Sequence, residues 1–314
     1  MNKTVLIYSS HNCCHYIHND RIVQRALGGW SNKRILFLPI SEGVHADGDE
    51  SSSQHFGFSK FSWFFDKYKN YGLEVIPFYF SSHLKRSDVD HLIYLLSTSE
   101  VALLGGGQSS LGMERYRWMG QHFYNDPGLF DRLFFERQIN GLYTVGFSAG
   151  ADQLCEYLVA AAYTFLEDPG GFGLAKDVMV TLHFEPGREG DVQHIAQRFG
   201  NCLVFGLPND SGLAVAQGWL DSGNMYQVIE FIIDETWDIP REQFHIKTRQ
   251  GVLIEHSYSD GRHWAFNGGD HIIRIIDPQT GSQRAWMYLG GHFIDYWTQQ
   301  ESGYSSIEEI FANH

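Results

Sequence analysis

The stretch YTVGFSAGADQL, residues 143 to 154, places a serine between two glycines where β-formers give way to a helical pattern. In this GxSxG arrangement Gly146 and Gly150 tolerate a tight strand-to-helix turn that lifts the Ser148 hydroxyl above the sheet edge. The N–H of Ala149 would then face a developing oxyanion. Such a serine suits acyl transfer. Serine is also a favoured helix N-cap, so the same residue has a purely structural alternative.

A second strand, glycine turn and helix lies at VALLGGGQSSLGMERYR, residues 101 to 117. Gly105, Gly106 and Gly107 free the backbone to approach a ligand, and a glycine N–H here would complete an oxyanion hole. The plainer alternative is a tight turn at a strand end. A serine nucleophile also needs a general base, for which imidazole has the right pKa. Sixteen histidines are available, and VMVTLHFEPGREGD sets His183 apart by placing it at the end of an apolar strand.

The elements that must position these groups follow from the pattern along the chain. Short apolar runs at 4 to 10, 34 to 40, 73 to 80, 101 to 107, 142 to 148, 178 to 184 and 202 to 208 are expected strands. Most are continuous and not alternating, as in strands buried on both faces. Helical patterns fall near 19 to 28, 56 to 70, 86 to 98, 109 to 119, 127 to 138, 148 to 162 and 190 to 199. This order predicts an α/β fold with a mostly parallel sheet and helices on both faces, whose carboxyl edge gathers the ligand-binding turns. Beyond about residue 212 the runs become β-rich with turn signals such as Ser259-Asp260-Gly261, up to a last helical stretch, SSIEEIFA. The expected division is an α/β domain over 1–220 and a β-rich C-terminal extension or subdomain over 221–314.

LLGGGQ at 103 to 108, GFSAGA at 146 to 151, DPGGFGL at 168 to 174, LHF at 182 to 184 and GLPNDSGLAV at 206 to 215 stand in an order and at spacings that resemble the peptidase S51 family of dipeptidase E and cyanophycinase. Over roughly residues 1 to 220 the resemblance implies the class I glutamine amidotransferase-like fold, a flavodoxin-like three-layer α/β/α arrangement. It further implies Ser148 as nucleophile, His183 as base, and the backbone N–H groups of Ala149 and the Gly106–Gly107 turn as oxyanion donors. It implies no metal or other cofactor and a small peptide or amino-acid conjugate as substrate.

Two positions depart from the family's pattern. Tyr163 stands where dipeptidase E has its acidic third member, and Glu167, near the cyanophycinase spacing, is the expected partner of His183. Asp168, its neighbour, is the alternative partner, or else holds the turn before Pro169. The substrate-binding arginine of dipeptidase E aligns with Gln193, for which Arg188 or Arg198 would substitute, with Gln108 beside the glycine turn as a further substrate contact.

Two rival readings stay open. An α/β-hydrolase would pair Ser148 with a histidine near the C-terminus, for which His292 and Asp277 are the candidates. A non-catalytic descendant would bind a small ligand in the same cleft. A glutamine amidotransferase would need cysteine where Ser148 stands.

His11, Cys13, Cys14, His15 and His18 cluster after the first strand without the second spaced pair of a zinc site, and are expected to be structural or cleft-lining. The acidic stretch at 45 to 56 lacks calcium-loop spacing, and Phe61, Trp63, Phe64 and Tyr68 fall at helical spacing as core. A net charge of −14 excludes a nucleic-acid backbone or anionic membrane surface as a natural partner. No apolar run reaches the ~20 residues of a membrane span, and no secretory leader is evident. Four cysteines do not make a disulfide framework. A cytoplasmic protein is expected, and a homodimer is left open.

Overall fold

The computed structural model describes residues 4–10, 16–29, 32–43, 65–234 and 252–314. Among them the apolar runs form β1 (Val5–Tyr8), β2 (Arg34–Leu38), β3 (Glu74–Pro77), β4 (Val101–Leu104), β5 (Tyr143–Phe147), β6 (Val178–Leu182), β7 (Leu203–Leu207), β8 (Ser211–Trp219) and β9 (Met225–Ile233). β10 (Ile254–Ser257), β11 (His263–Phe266), β12 (His271–Ile276), β13 (Gln283–Leu289) and β14 (His292–Asp295) follow. The helices are α1 (Gln24–Leu27), continuing a π-helical segment Ile17–Val23, then α2 (Arg86–Thr98), α3 (Ser109–Tyr124), α4 (Leu129–Ile139), α5 (Ala149–Gln153), α6 (Glu189–Arg198) and α7 (Ile307–Ala312).

A ten-stranded sheet runs β14-β13-β12-β9-β8-β1-β5-β4-β2-β3, and a four-stranded sheet runs β11-β10-β7-β6. From β1 to β3 neighbouring strands are parallel, with Val5 opposite Thr144, Val101 opposite Tyr143 and Ile35 opposite Val101. These strands read as unbroken apolar runs because both faces are covered. Val5, Ile7, Leu36, Leu38, Ala102 and Leu104 meet Leu92 of α2, Met113 and Tyr116 of α3, and Phe130 and Phe134 of α4. Their alternates Leu6, Tyr8, Ile35, Phe37, Leu103 and Phe147 meet Ile17, Ile22, Val23, Ala26 and Phe65 on the opposite side. Each of the larger apolar side chains among them, fully buried, stabilises the fold by about 1.5–3 kcal/mol.

The expectation of a mostly parallel sheet holds for this half alone. β8 pairs antiparallel with the central strand β1 and carries the sheet on through β9, β12, β13 and β14, all antiparallel. β6 and β7, expected to extend the parallel sheet, form the smaller one with β10 and β11. The cause lies in the connection, since only Pro208, Asn209 and Asp210 separate β7 from β8. A crossover long enough to keep both in one parallel sheet does not fit in three residues.

The smaller sheet packs on the antiparallel half, where Phe231 stacks on Phe266 with centroids 4.1 Å apart and meets Phe205 edge to face. α6 covers its outer side through Val192, Ile195 and Ala196. α7 covers the far face of the large sheet, with Ile310 against Val228, Ile273 and Trp286. The helix expected over 148 to 162 ends at Gln153, because Cys155 bridges Ala175 and Tyr157 bridges Gly170, drawing the chain into extended pairing. Among the described residues no helix is long and apolar enough to cross a membrane.

Candidate active site

Ser148 follows β5 at φ 50° and ψ −122°, a conformation that side-chain-bearing residues rarely hold and that costs on the order of 1–3 kcal/mol. The surrounding backbone enforces it. Ser148 N–H donates to Tyr8 O at 3.3 Å, its carbonyl accepts from Ala151 and Asp152 at 2.9 and 3.2 Å, and Gly150 N–H donates to Gly105 O at 3.0 Å. The flanking glycines are there for space: a Cβ on Gly146 would collide with the Gly150 carbonyl, and one on Gly150 with the Leu104 carbonyl. The serine side chain makes no cap hydrogen bond to α5, which removes the N-cap account of it. Its hydroxyl instead faces an imidazole.

That imidazole is His183, immediately after β6. Its Nε2 lies 3.4 Å from Ser148 Oγ. The residue also takes a positive φ, 53°, and its N–H donates to the buried Ser9 Oγ at 2.8 Å. Ser9 in turn donates its N–H to Ser211 O at 3.0 Å, and Phe184 donates to Leu207 O at 3.0 Å. The end of β1 therefore ties the Ser148 turn, through Tyr8, to the His183 turn, through Ser9, across the junction of the two sheets.

The other ring nitrogen, Nδ1, lies 2.6 Å from Asn209 Oδ1. Asn209 sits on the β7–β8 turn, which is held by Ser211 donating to Pro208 O from both N–H and Oγ, at 3.1 and 2.9 Å. The residues GLPNDSGLAV were part of the sequence resemblance, yet a role for Asn209 was not read from them. The available signal was positional: β7 neighbours β6, so a polar residue just past the end of one falls beside His183 just past the end of the other.

The glycine turn after β4 comes to the same rim. Gly107 takes φ 131°, and a Cβ there would collide with the Ser41 carbonyl, which accepts the N–H of Gln108 at 2.8 Å. Among the described residues no turn or loop carbonyl takes the N–H of Gly106, Gly107 or Ala149. Asp152, one helical turn beyond Ser148, is 1% exposed and accepts from Val159 N–H at 2.8 Å. Burial pushes its carboxyl up to about 6.

Several expected site residues lie elsewhere. The structure puts Asn209, not Glu167, on His183 Nδ1. Glu167 is exposed and lines a separate cleft of about 400 Å³ with Ser110, Glu114, Arg117, Trp118 and Asp168. Asp168 pairs with Arg117 at 3.0 Å and caps its own turn at Gly170. Tyr163 is exposed against His194. Gln108 stands just before α3 at the rim, Arg188 pairs with Asp191 at 2.9 Å, and Gln193 and Arg198 are exposed on α6.

The α/β-hydrolase alternative fails on distance. His292 is on edge strand β14, six strands from β5, or about 29 Å at ordinary strand spacing, and pairs with Glu301 at 3.1 Å. Asp277 is bound into its own turn by Gln279 and Thr280. In the cysteine-histidine cluster His18 is buried, with its ring 3.2 Å from Tyr8 Oη; His11, Cys13, Cys14 and His15 lie outside the described residues, as do Phe61, Trp63, Phe64 and the stretch at 45 to 56.

A peptidase from an acI-B1 Actinobacterium superposes over 85% of this chain and 96% of its own, at 13% sequence identity and a TM-score of 0.52. The chain shares that peptidase's fold. A putative peptidase E protein from Listeria monocytogenes EGD-e covers 68% of this chain and 94% of its own at 13% identity, with a TM-score of 0.45. No protein-family model and no curated protein matches the chain.

Proposed function

We propose that this chain is a serine peptidase or amidase of the S51 type, cleaving a small peptide or amino-acid conjugate. The observation that carries the reading is a serine held in a strained turn with its hydroxyl 3.4 Å from an imidazole nitrogen supplied by a different sheet. Hydrogen bonds of this kind are commonly long before substrate arrives, so 3.4 Å suits a resting general base. The peptidase fold supports the reading.

In the proposed reaction Ser148 Oγ attacks the substrate carbonyl carbon as its proton passes to His183 Nε2. The carbonyl oxygen becomes an oxyanion held by the N–H groups of Ala149 and the Gly106–Gly107 turn, which no turn or loop carbonyl among the described residues takes. Nε2 returns the proton to the departing amine, leaving an acyl-serine. Water, deprotonated by the same nitrogen, then releases the acid and restores the hydroxyl. Gln108 and Arg188, on the loops that open onto this rim, are the proposed substrate contacts, with Gln193 further along α6.

A fluorophosphonate probe, together with hydrolysis of dipeptides, isoaspartyl peptides and arginyl-aspartate polymers, tests the assignment. Wild type is expected to label and to turn over at least one of these substrates. Ser148→Ala should lose both activities, and His183→Ala should slow each by about 10²–10⁴-fold. Hydrolysis surviving in Ser148→Ala would refute the reading.

A further inference from the structure

We infer that Asn209 is the positioning residue for His183, and that this site works with a neutral amide where a hydrolytic triad has a carboxylate. The inference rests on the proposed function above. Its basis is the 2.6 Å separation of His183 Nδ1 from Asn209 Oδ1, the turn that fixes Asn209, and the displacement of Glu167 to another cleft.

An imidazole serves as base through one nitrogen only if its proton sits on the other. Amide oxygen is an acceptor and never a donor, so Nδ1 facing Oδ1 must carry the proton. Nε2 then presents its lone pair to Ser148 Oγ. The same logic lets an asparagine orient the histidine of papain-like Cys–His–Asn sites. The turn that places the amide is short and doubly tied, with Ser211 bonded to Pro208 O twice and Asp234 N–H donating to Asp210 O at 2.6 Å. The imidazole is thereby gripped at two points, its backbone N–H by Ser9 and its ring by Asn209.

An amide and a carboxylate differ in what they do when His183 takes up the serine proton. A carboxylate in hydrogen-bond contact favours imidazolium and raises its pKa, commonly by 1–3 units, while an uncharged amide supplies orientation without that attraction. The ionisable groups on the elements that meet here are Asp210 on the Asn209 turn, Asp234 at the end of β9, and Glu185, Arg188 and Asp191 after β6. His18 lies beneath Tyr8 of β1. All remain in place when Asn209 alone is exchanged, so a difference between variants reports on position 209.

The test compares Asn209→Leu and Asn209→Asp with wild type, Ser148→Ala and His183→Ala in full pH–rate profiles. Asn209→Leu should lower kcat by roughly 10²-fold with KM little changed, since it frees the ring without touching substrate. Asn209→Asp should restore activity and move the acidic limb of kcat/KM upward by about one pH unit or more. The Nδ1–H proton resonance of His183, at low field in wild type and Asn209→Asp, should be lost from Asn209→Leu. Full activity in Asn209→Leu, with His183→Ala inactive, overturns the role of Asn209 and leaves the hydrolase standing. An acidic limb unmoved in Asn209→Asp overturns it even if Asn209→Leu fails to fold. Turnover in Ser148→Ala would instead sink the enzymatic reading underneath.

Discussion

Two sets of turns in this molecule carry positive φ, and they use it differently. In the turns beyond β8, Gly223, Gly261, Gly269, Gly281, Gly290 and Gly291 sit between successive strands of the two sheets, and a Cβ on any of them would meet nothing within 4 Å. Glycine there serves conformation alone. At the rim Ser148 and His183 hold φ near 50° while carrying side chains, and Gly107, Gly146 and Gly150 stand where a Cβ would strike a backbone carbonyl. Glycine at the rim serves close approach, and the strain falls on the two residues that face each other. Hairpin turns shape the sheet, whereas rim turns hold two groups in unfavourable conformations that only dense backbone packing sustains.

The largest expected effect comes from breaking that packing. Gly150→Ala pushes a methyl into the Leu104 carbonyl, and Gly107→Ala meets the Ser41 carbonyl at a φ of 131° that alanine resists. In both the obstacle is backbone, so relief requires the Ser148 turn to separate from β4 in the first and the glycine turn to separate from the loop after β2 in the second. Each should cost about 3 kcal/mol or more and abolish probe labelling. Thermal unfolding and labelling measure the two consequences, and a variant that unfolds like wild type would show the rim to be looser than described.

A smaller effect separates the two regions by pH. Asp152 lies one helical turn beyond Ser148, and burial pushes its carboxyl up to about 6 from an ordinary 3.8. The folded state therefore binds its proton more tightly than the unfolded state. The resulting penalty is absent below pH 4 and complete above pH 6, at most about 3 kcal/mol. In the smaller sheet His256, bonded to Val204 O and Tyr296 Oη, is pushed down to about 3 by burial. Its contribution has the opposite sense, full above pH 6.5 and lost as pH falls toward 3. Acidification from pH 6.5 to 4 thus helps one group and hurts the other. Asp152→Asn should be more stable than wild type at pH 7.5, match it near pH 4, and lose stability on acidification more steeply. Denaturant unfolding at both pH values decides, and an equal gain at each would remove Asp152 as the source.

The same contrast accounts for what was legible in the sequence. The parallel strands, and the turns that bring Ser148 and His183 together, were legible because each is announced by its own neighbours: an apolar run, a glycine pair, a strand end. The division into two sheets could not, since an unbroken apolar run reports burial on both faces without naming the covering layer. Asn209 was missed for a related reason. Its place beside His183 depends on β6 and β7 being neighbours, whereas Glu167 drew notice through spacing along the chain, and the chain turns away to pair Tyr157 with Gly170. The short α5 has the same origin, because its helical pattern was overridden by extended pairing with residues 170 to 175.

The smallest effects belong to the hairpins and the far edge. Gly261 holds φ 89° in the β10–β11 turn with open space around it, so alanine there meets conformational strain but no collision. Gly261→Ala should cost only about 1–2 kcal/mol, because the left-handed backbone penalises a Cβ and nothing else must move. Its labelling and turnover should equal wild type, as this turn touches none of the rim loops. His292→Ala removes an exposed partner of Glu301 six strands from β5 and should leave turnover unchanged. Calorimetry and a single-substrate assay on the pair measure both. A turnover defect in either variant, at a temperature where it remains folded, would mean that the strands beyond β8 do more than complete the two sheets, and the separation between strained rim and relaxed hairpins would have to be redrawn.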